Sequence, residues 1–168
     1  VKVGHYTVGG TPTTRSGEKL CEPGSYCIAG IKYPCPAGRY GRSYGLVHRN
    51  CTGECLPGHY CTPGSFVSDQ HRCGNPEKYC PRGSTAPSTV EKGFYSVGGG
   101  GLEDGTTARE DQVMAPVGAY AAKGLLFLCP AGRYGTAPGL SHSSCSGPCD
   151  AGFYCPPGAT TPRQRICG

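Results

Sequence analysis

The sequence predicts small disulfide-rich repeats: a chain that is mostly coil, with short antiparallel β-hairpins in elongated tandem modules and little or no helix. Three observations carry that prediction. First, 29 Gly, 16 Pro and 13 Cys fill more than a third of the 168 residues, so the chain is dominated by residues that turn the backbone or staple it. Second, Leu, Ile, Val and Phe together number 24, too few for an ordinary apolar core at this length. Third, the chain repeats itself. Low apolar content with abundant Gly and Pro otherwise indicates disorder, yet the charge is modest and 11 Tyr are present. Cysteine at this density resolves the conflict, because disulfides replace a missing core and persist in oxidising compartments. The expected location is extracellular or at the cell surface.

Residues 21–74 align without a gap on residues 115–168, with 24 identities in 54 positions. The strongest block is Cys35-Pro-Ala-Gly-Arg-Tyr-Gly41 against Cys129-Pro-Ala-Gly-Arg-Tyr-Gly135. Upstream, Gly4-His-Tyr-Thr-Val-Gly-Gly10 matches Gly93-Phe-Tyr-Ser-Val-Gly-Gly99, and an insertion around Gly100–Asp104 separates the two registers as a lengthened Gly-rich loop. The predicted units are 1–89, with a core at 21–80, and 90–168, with a core at 115–168. The second stops before any counterpart of residues 75–89.

Taken in chain order, the first staple is Cys21–Cys27. Its counterparts in the second copy, Ala115 and Ala121, have lost both thiols together, as expected of partners. Pro23-Gly24 between them suits a type II turn, which is expected to bring the thiols across a tight hairpin. Cys35–Cys51 closes a larger loop, repeated as Cys129–Cys145. Cys55–Cys61 reuses the first frame, and Cys149–Cys155 is a degraded version of it. Two schemes compete for the rest. Local pairing joins Cys55–Cys61 and Cys73–Cys80 and leaves Cys167 single; crossed pairing joins Cys55–Cys73 and Cys61–Cys80 and leaves Cys155 single. The local scheme is preferred because it reuses the hairpin frame, and a Cys149–Cys167 bond would exclude it. The odd cysteine count is then eight plus five, the second copy lacking counterparts of Cys21, Cys27 and Cys80.

Eight tyrosines (Tyr6, Tyr26, Tyr40, Tyr60, Tyr95, Tyr120, Tyr134 and Tyr154) occur as Gly-x-Tyr. Each predicts a short turn or hairpin whose ring covers a disulfide, so the tyrosines are expected as miniature-core residues. Asn50-Cys51-Thr52 fits the N-glycosylation sequon. The clusters holding Thr11, Thr13 and Thr14, then Ser88 and Thr89, then Thr160 and Thr161 are candidate O-glycosylated linkers or solvated turns.

Chemistry is poorly provided for. His5 and His59 correspond to Phe94 and Phe153, a replacement that points to packing. A Cys/His nucleophile needs a reduced thiolate, Cys51-x-x-x-Cys55 lacks zinc-knuckle spacing, and Gly98–Gly101 is not followed by the Lys-Ser/Thr of a phosphate loop. No catalytic residue, metal site or cofactor is expected. The net charge of +5 is spread, with Arg39, Arg42 and Arg49 set singly, so nucleic acid is excluded as a partner. The longest apolar run, Leu125–Leu128, is far below membrane length.

The string Cys35-Pro-Ala-Gly-Arg-Tyr-Gly41, then Gly45-Leu46, Cys51-Thr-Gly-Glu-Cys55 and Pro57-Gly-His-Tyr-Cys61-Thr-Pro-Gly-Ser65, resembles the ephrin-receptor-like cysteine-rich repeat of the growth-factor-receptor cysteine-rich superfamily. Tyr79-Cys-Pro-Arg-Gly-Ser84, followed by Val90-Glu-Lys-Gly-Phe-Tyr-Ser-Val-Gly-Gly99, resembles the junction between such repeats in long extracellular proteins of algae and other protists. The resemblance implies stapled modules stacked end to end, as in adhesins, cell-wall proteins and flagellar hair (mastigoneme) proteins, and it implies no enzyme.

The expected function is therefore an extracellular structural repeat protein, a segment or subunit of a fibre, surface coat or flagellar hair. Its expected partners are adjoining repeats of a longer polypeptide, other copies of itself, and glycans. The alternative is a receptor-type ectodomain that binds a protein or glycan along Tyr and Arg faces. Exposure of Arg39/Tyr40 and Arg133/Tyr134 discriminates between the two.

Overall fold

The computed structural model describes residues 1–99 and 107–168, so the insertion expected at Gly100–Asp104 lies outside the described residues. The fold is disulfide-rich and mostly coil, with nine two-stranded antiparallel sheets and no helix among the described residues. Contacts divide the chain into two units, Val1–Cys73 with Cys80–Pro87, and Gly74–Tyr79 with Ser88–Gly168. Unit 1 pairs β1 (His5–Val8) with β2 (Gly17–Leu20), β3 (Ser25–Ile28) with β4 (Ile31–Pro34), β5 (Arg39–Tyr40) with β6 (Gly53–Glu54), and β7 (His59–Tyr60) with β8 (His71–Arg72). Unit 2 pairs β9 (Lys78–Tyr79) with β10 (Ser88–Thr89), β11 (Phe94–Val97) with β12 (Asp111–Met114), β13 (Ala119–Ala122) with β14 (Leu125–Leu128), β15 (Arg133–Tyr134) with β16 (Gly147–Pro148), and β17 (Phe153–Tyr154) with β18 (Arg165–Ile166).

The division departs from the boundary expected at Thr89/Val90. Residues 74–79 and 88–89 belong to unit 2, because β9 and β10 pair with each other and the Ser96 hydroxyl donates to the Pro76 carbonyl at 2.6 Å. Sequence identity marks where a repeat restarts. It does not mark which repeat the joining turn packs against.

Each Gly-x-Tyr begins a module in the same way. Its glycine sits in the left-handed region, with φ between 74° and 82° at Gly4, Gly24, Gly38, Gly58, Gly93, Gly118, Gly132 and Gly152, and a strand starts at the next residue. The carbonyl of that glycine accepts the N–H of the residue directly after the second strand of its hairpin. This bond recurs from Cys21 to Gly4 through Cys167 to Gly152 with lengths of 2.8–3.1 Å. Ala115 makes it to Gly93 at 2.9 Å without a thiol, so the main chain alone supports the module where the staple is absent.

The Pro23-Gly24 turn forms, with Ser25 N donating to Glu22 O at 3.2 Å and Gly24 at φ 82°. It does not close a hairpin across the thiols, however. It leads into β3, whose partner β4 lies downstream across a two-residue turn at Ala29-Gly30. Both turn residues have positive φ, 50° and 77°, the geometry that matches the twist of a tight hairpin.

The core is made of sulfur and methyl groups. Among the described residues the buried apolar set contains only Cys and Ala, joined by Ser25, Ser65 and Ser96. This corrects the expected tyrosine core. Tyr26 stacks on Tyr33, Tyr120 on Phe127 and Tyr60 on His71 across their hairpins, with ring centroids 5.4, 5.4 and 5.0 Å apart, and these rings stay partly exposed. Such modules are too thin to enclose a phenol ring; they enclose a disulfide instead.

Candidate functional site

The structure pairs Cys21 with Cys27, Cys35 with Cys51, Cys55 with Cys61, Cys73 with Cys80, Cys129 with Cys145 and Cys149 with Cys155. The Cα separations are 5.8–6.1 Å, in the usual range for a bridge. Cys167 is free and exposed. The two larger loops close in one way: Cys51 and Cys145 both lie at φ 50°, and the next residue donates to Tyr40 O or Tyr134 O at 2.8 Å. The glycine ending each Cys-Pro-Ala-Gly-Arg-Tyr-Gly block packs on the sulfur. A Cβ on Gly41 or Gly135 would lie 2.6 or 2.9 Å from Sγ of Cys35 or Cys129.

A second recurring contact is a close approach of paired glycines. A Cβ built on Gly4, Gly24, Gly38, Gly93 or Gly118 would lie 2.2–2.6 Å from the carbonyl oxygen of Gly45, Gly64, Gly83, Gly139 or Gly158 respectively. This contact explains the positive φ and the residue type together, and no sequence signal distinguishes it from an ordinary turn glycine.

Arg39 and Arg133 bond within their own modules at the surface. Arg39 donates from Nη1 to Asn50 O at 3.0 Å and from Nη2 to Glu54 at 3.4 Å, and Arg133 donates from Nη1 to Ser144 O at 3.0 Å. Both arginines, with Tyr40 and Tyr134, are half-buried and brace the loops of their own modules.

The expected modification residues fall into two kinds. Asn50 is exposed, but Cys51 in its sequon is bonded and the Thr52 hydroxyl accepts from Arg42 N at 2.8 Å. Thr11, Thr13 and Thr14 are exposed, and the Thr11 hydroxyl lies 3.1 and 2.7 Å from those of Thr13 and Thr14. Ser88 and Thr89 form strand β10 rather than a linker, and Thr89 accepts from Lys78 Nζ at 2.7 Å. Pairing with β9 orders what composition alone reads as loose. Thr161 is exposed beside Gln164, to which it donates at 3.2 Å, and Thr160 is half-buried in the same turn.

One charged cluster escaped the sequence reading because its members are distant in sequence. Glu22 accepts from Tyr6 Oη at 2.9 Å and from Lys32 Nζ at 2.6 Å, while Lys32 Nζ stands 5.2 Å from the centre of the Tyr6 ring. The Lys32 hydrogen bond is the main reason that the Glu22 carboxyl is lowered to about 2. The same bond raises Lys32, and the bond to Glu22 raises Tyr6. The second copy has Pro116 and Leu126 in place of Glu22 and Lys32, and all four residues of β14 are exposed.

No protein-family model matches the chain, and no curated protein matches it in sequence. Six disulfides in so small a frame mark a stabilised domain of the secreted or extracellular kind, and no described helix is long and apolar enough to cross a membrane.

Proposed function

We propose that the chain is a non-enzymatic extracellular structural repeat protein of the ephrin-receptor-like cysteine-rich type, acting as a segment or subunit of a fibre, surface coat or flagellar hair. The observation that carries this reading is the module itself. Every Gly-x-Tyr turn accepts the same main-chain bond from the residue that follows its hairpin, and among the described residues the buried side chains are cysteines, alanines and a few serines, packed among glycines. Stability then resides in local covalent staples, each contributing roughly 2–4 kcal/mol by restricting the unfolded chain. Such a frame can be extended by repetition without enlarging a core. The engagement of Arg39 and Arg133 by their own modules favours the scaffold over the receptor-type alternative.

Electrophoresis of native material with and without reductant, combined with negative-stain microscopy, tests the reading. Disulfide-linked species that collapse on reduction, with filaments or sheets on the grid, are expected. A clean monomer bearing a free thiol in both lanes and no ordered assembly would overturn it.

A further inference from the structure

We propose that the outer edge of β14 docks the same strand of a second copy of this chain, the two strands pairing antiparallel about a two-fold axis with Phe127 against Phe127. The proposal deepens the structural-repeat reading by naming one contact between copies, and it rests on that reading for its setting.

The edge is open because of how its hairpin closes. Lys123-Gly124 is a two-residue turn, which makes Ala122 and Leu125 a bonded pair. By the alternation of an antiparallel ladder, Tyr120 and Phe127 are the next bonded pair, whereas Leu126 and Leu128 direct their N–H and C=O groups out of the hairpin. The far side of β13 shows this alternation: Ala121 N, opposite Leu126, donates away from the hairpin to Leu140 O at 2.8 Å. Among the described residues no main-chain bond from outside the hairpin reaches Leu126 or Leu128. The four side chains of β14 are 39–62% exposed. Its counterpart β4 is likewise exposed along its whole length with the modules that follow it in place, so the open outer edge belongs to the hairpin itself.

β14 differs from the other outer strands in having lost their guards. β2 carries Glu18 and Lys19, β12 carries Asp111, and β4 carries Lys32 and Pro34. A charge on an edge resists burial, and proline at the position of Leu128 removes an outward N–H. In β14 the counterparts of Lys32 and Pro34 are Leu126 and Leu128, and no residue is charged. An uncharged edge suits a like copy in particular. Two-fold pairing sets the strand against itself, so any charge on it would lie close to its own image. In the register centred on Phe127, Leu126 and Leu128 of the second copy exchange both N–H···O bonds. The Tyr120–Phe127 stack, with ring centroids 5.4 Å apart, then continues across the axis. A four-residue edge is small beside the ~1,200 Å² of a stable interface, so each contact is weak and gains strength where copies repeat.

The test uses the full chain with Cys167→Ser, which removes dimers linked through that thiol, in sedimentation equilibrium up to about 1 mM. Self-association is expected, and the pair Leu126→Lys with Leu128→Pro should weaken it about tenfold or more. β4 already holds those residues in the same hairpin register, so the variant is expected to fold, with intact mass showing the six internal disulfides unchanged. Two single cysteine variants in the same background read the register. Phe127→Cys faces its own image in a non-bonded pair, where Cα atoms stand ~4.5 Å apart, and should oxidise to a covalent dimer. Leu125→Cys lies on the order of 14 Å from its image at ~3.4 Å per residue and should stay monomeric. A monomer at every concentration would overturn the proposal, as would association that the double substitution leaves unchanged, or equal cross-linking of the two cysteine variants. Micrographs of native material judge the fibre reading by themselves, since filaments can form through other contacts, so the two failures are distinguishable.

Discussion

At the scale of single residues, Ala29 and Lys123 occupy the same position of their hairpin turns at φ 50° and 52°, where a side chain with Cβ is strained. Asn tolerates that conformation and is favoured before Gly in such turns. Ala29→Asn is therefore expected to stabilise the fold by about 0.5–1 kcal/mol, read as a rise in the guanidinium midpoint. The glycine pairs give a sharper comparison. A Cβ on Gly24 would sit 2.3 Å from Gly64 O, whereas one on Gly132 meets nothing within 4 Å, and both have φ of 82°. Gly24→Ala should cost roughly 2–4 kcal/mol, conformational strain plus overpacking, and Gly132→Ala only about 1 kcal/mol. Equal losses in chemical denaturation would show that the close approach carries no energy.

At the scale of elements, Ala115 and Ala121 make the backbone bonds of Cys21 and Cys27. Ala115 N reaches Gly93 O and Ala121 N reaches Leu140 O at 2.9 and 2.8 Å, and both alanines are buried. The double substitution Ala115→Cys with Ala121→Cys is expected to close a seventh bridge, detectable as the loss of two hydrogens by mass, and to stabilise unit 2 by about 2 kcal/mol for so short a loop. The hairpin of β3 and β4 carries a pH response. Glu22 is lowered to about 2 when folded, from an ordinary value of 4.5, so its contribution is present above 4.5 and is lost as pH falls from there through 2. Lys32 is raised, so its share is present below its ordinary value and is lost as pH rises beyond it. Glu22→Gln should lower the melting temperature at pH 6 and have little effect at pH 2. An undiminished difference at pH 2 would refute the carboxylate's role. The tyrosine stacks show how far an element is legible: Gly-x-Tyr announces a turn and strand, but the ring's partner is set by cross-strand register and is invisible to a local motif.

At the scale of the whole molecule, the absence of Leu, Ile, Val, Phe and Tyr from the buried residues described leaves little to hold the hairpins once the sulfurs are separated. Reduction under native conditions is expected to abolish the β-hairpin signal in far-ultraviolet circular dichroism and to open Lys and Arg sites throughout the chain to trypsin. Retained protection after complete reduction would mean that main-chain bonds alone sustain the modules. They already do so at one staple, where Ala115 and Ala121 stand.

The sequence by itself determined the class of fold and the repeat, because turn residues and cysteines act locally: a Pro-Gly pair bends the backbone whatever surrounds it, and a short Cys-to-Cys span brings its thiols within reach. It also presented Cys149 and Cys167 as counterparts of Cys55 and Cys73. Only the tertiary structure decided which surfaces are covered. The clasp of Gly38 on Gly83, the seating of Pro76 on Ser96 and the Tyr6–Glu22–Lys32 cluster each join residues distant in the chain. Their geometry depends on how successive modules stack, which no local pattern of residue types encodes.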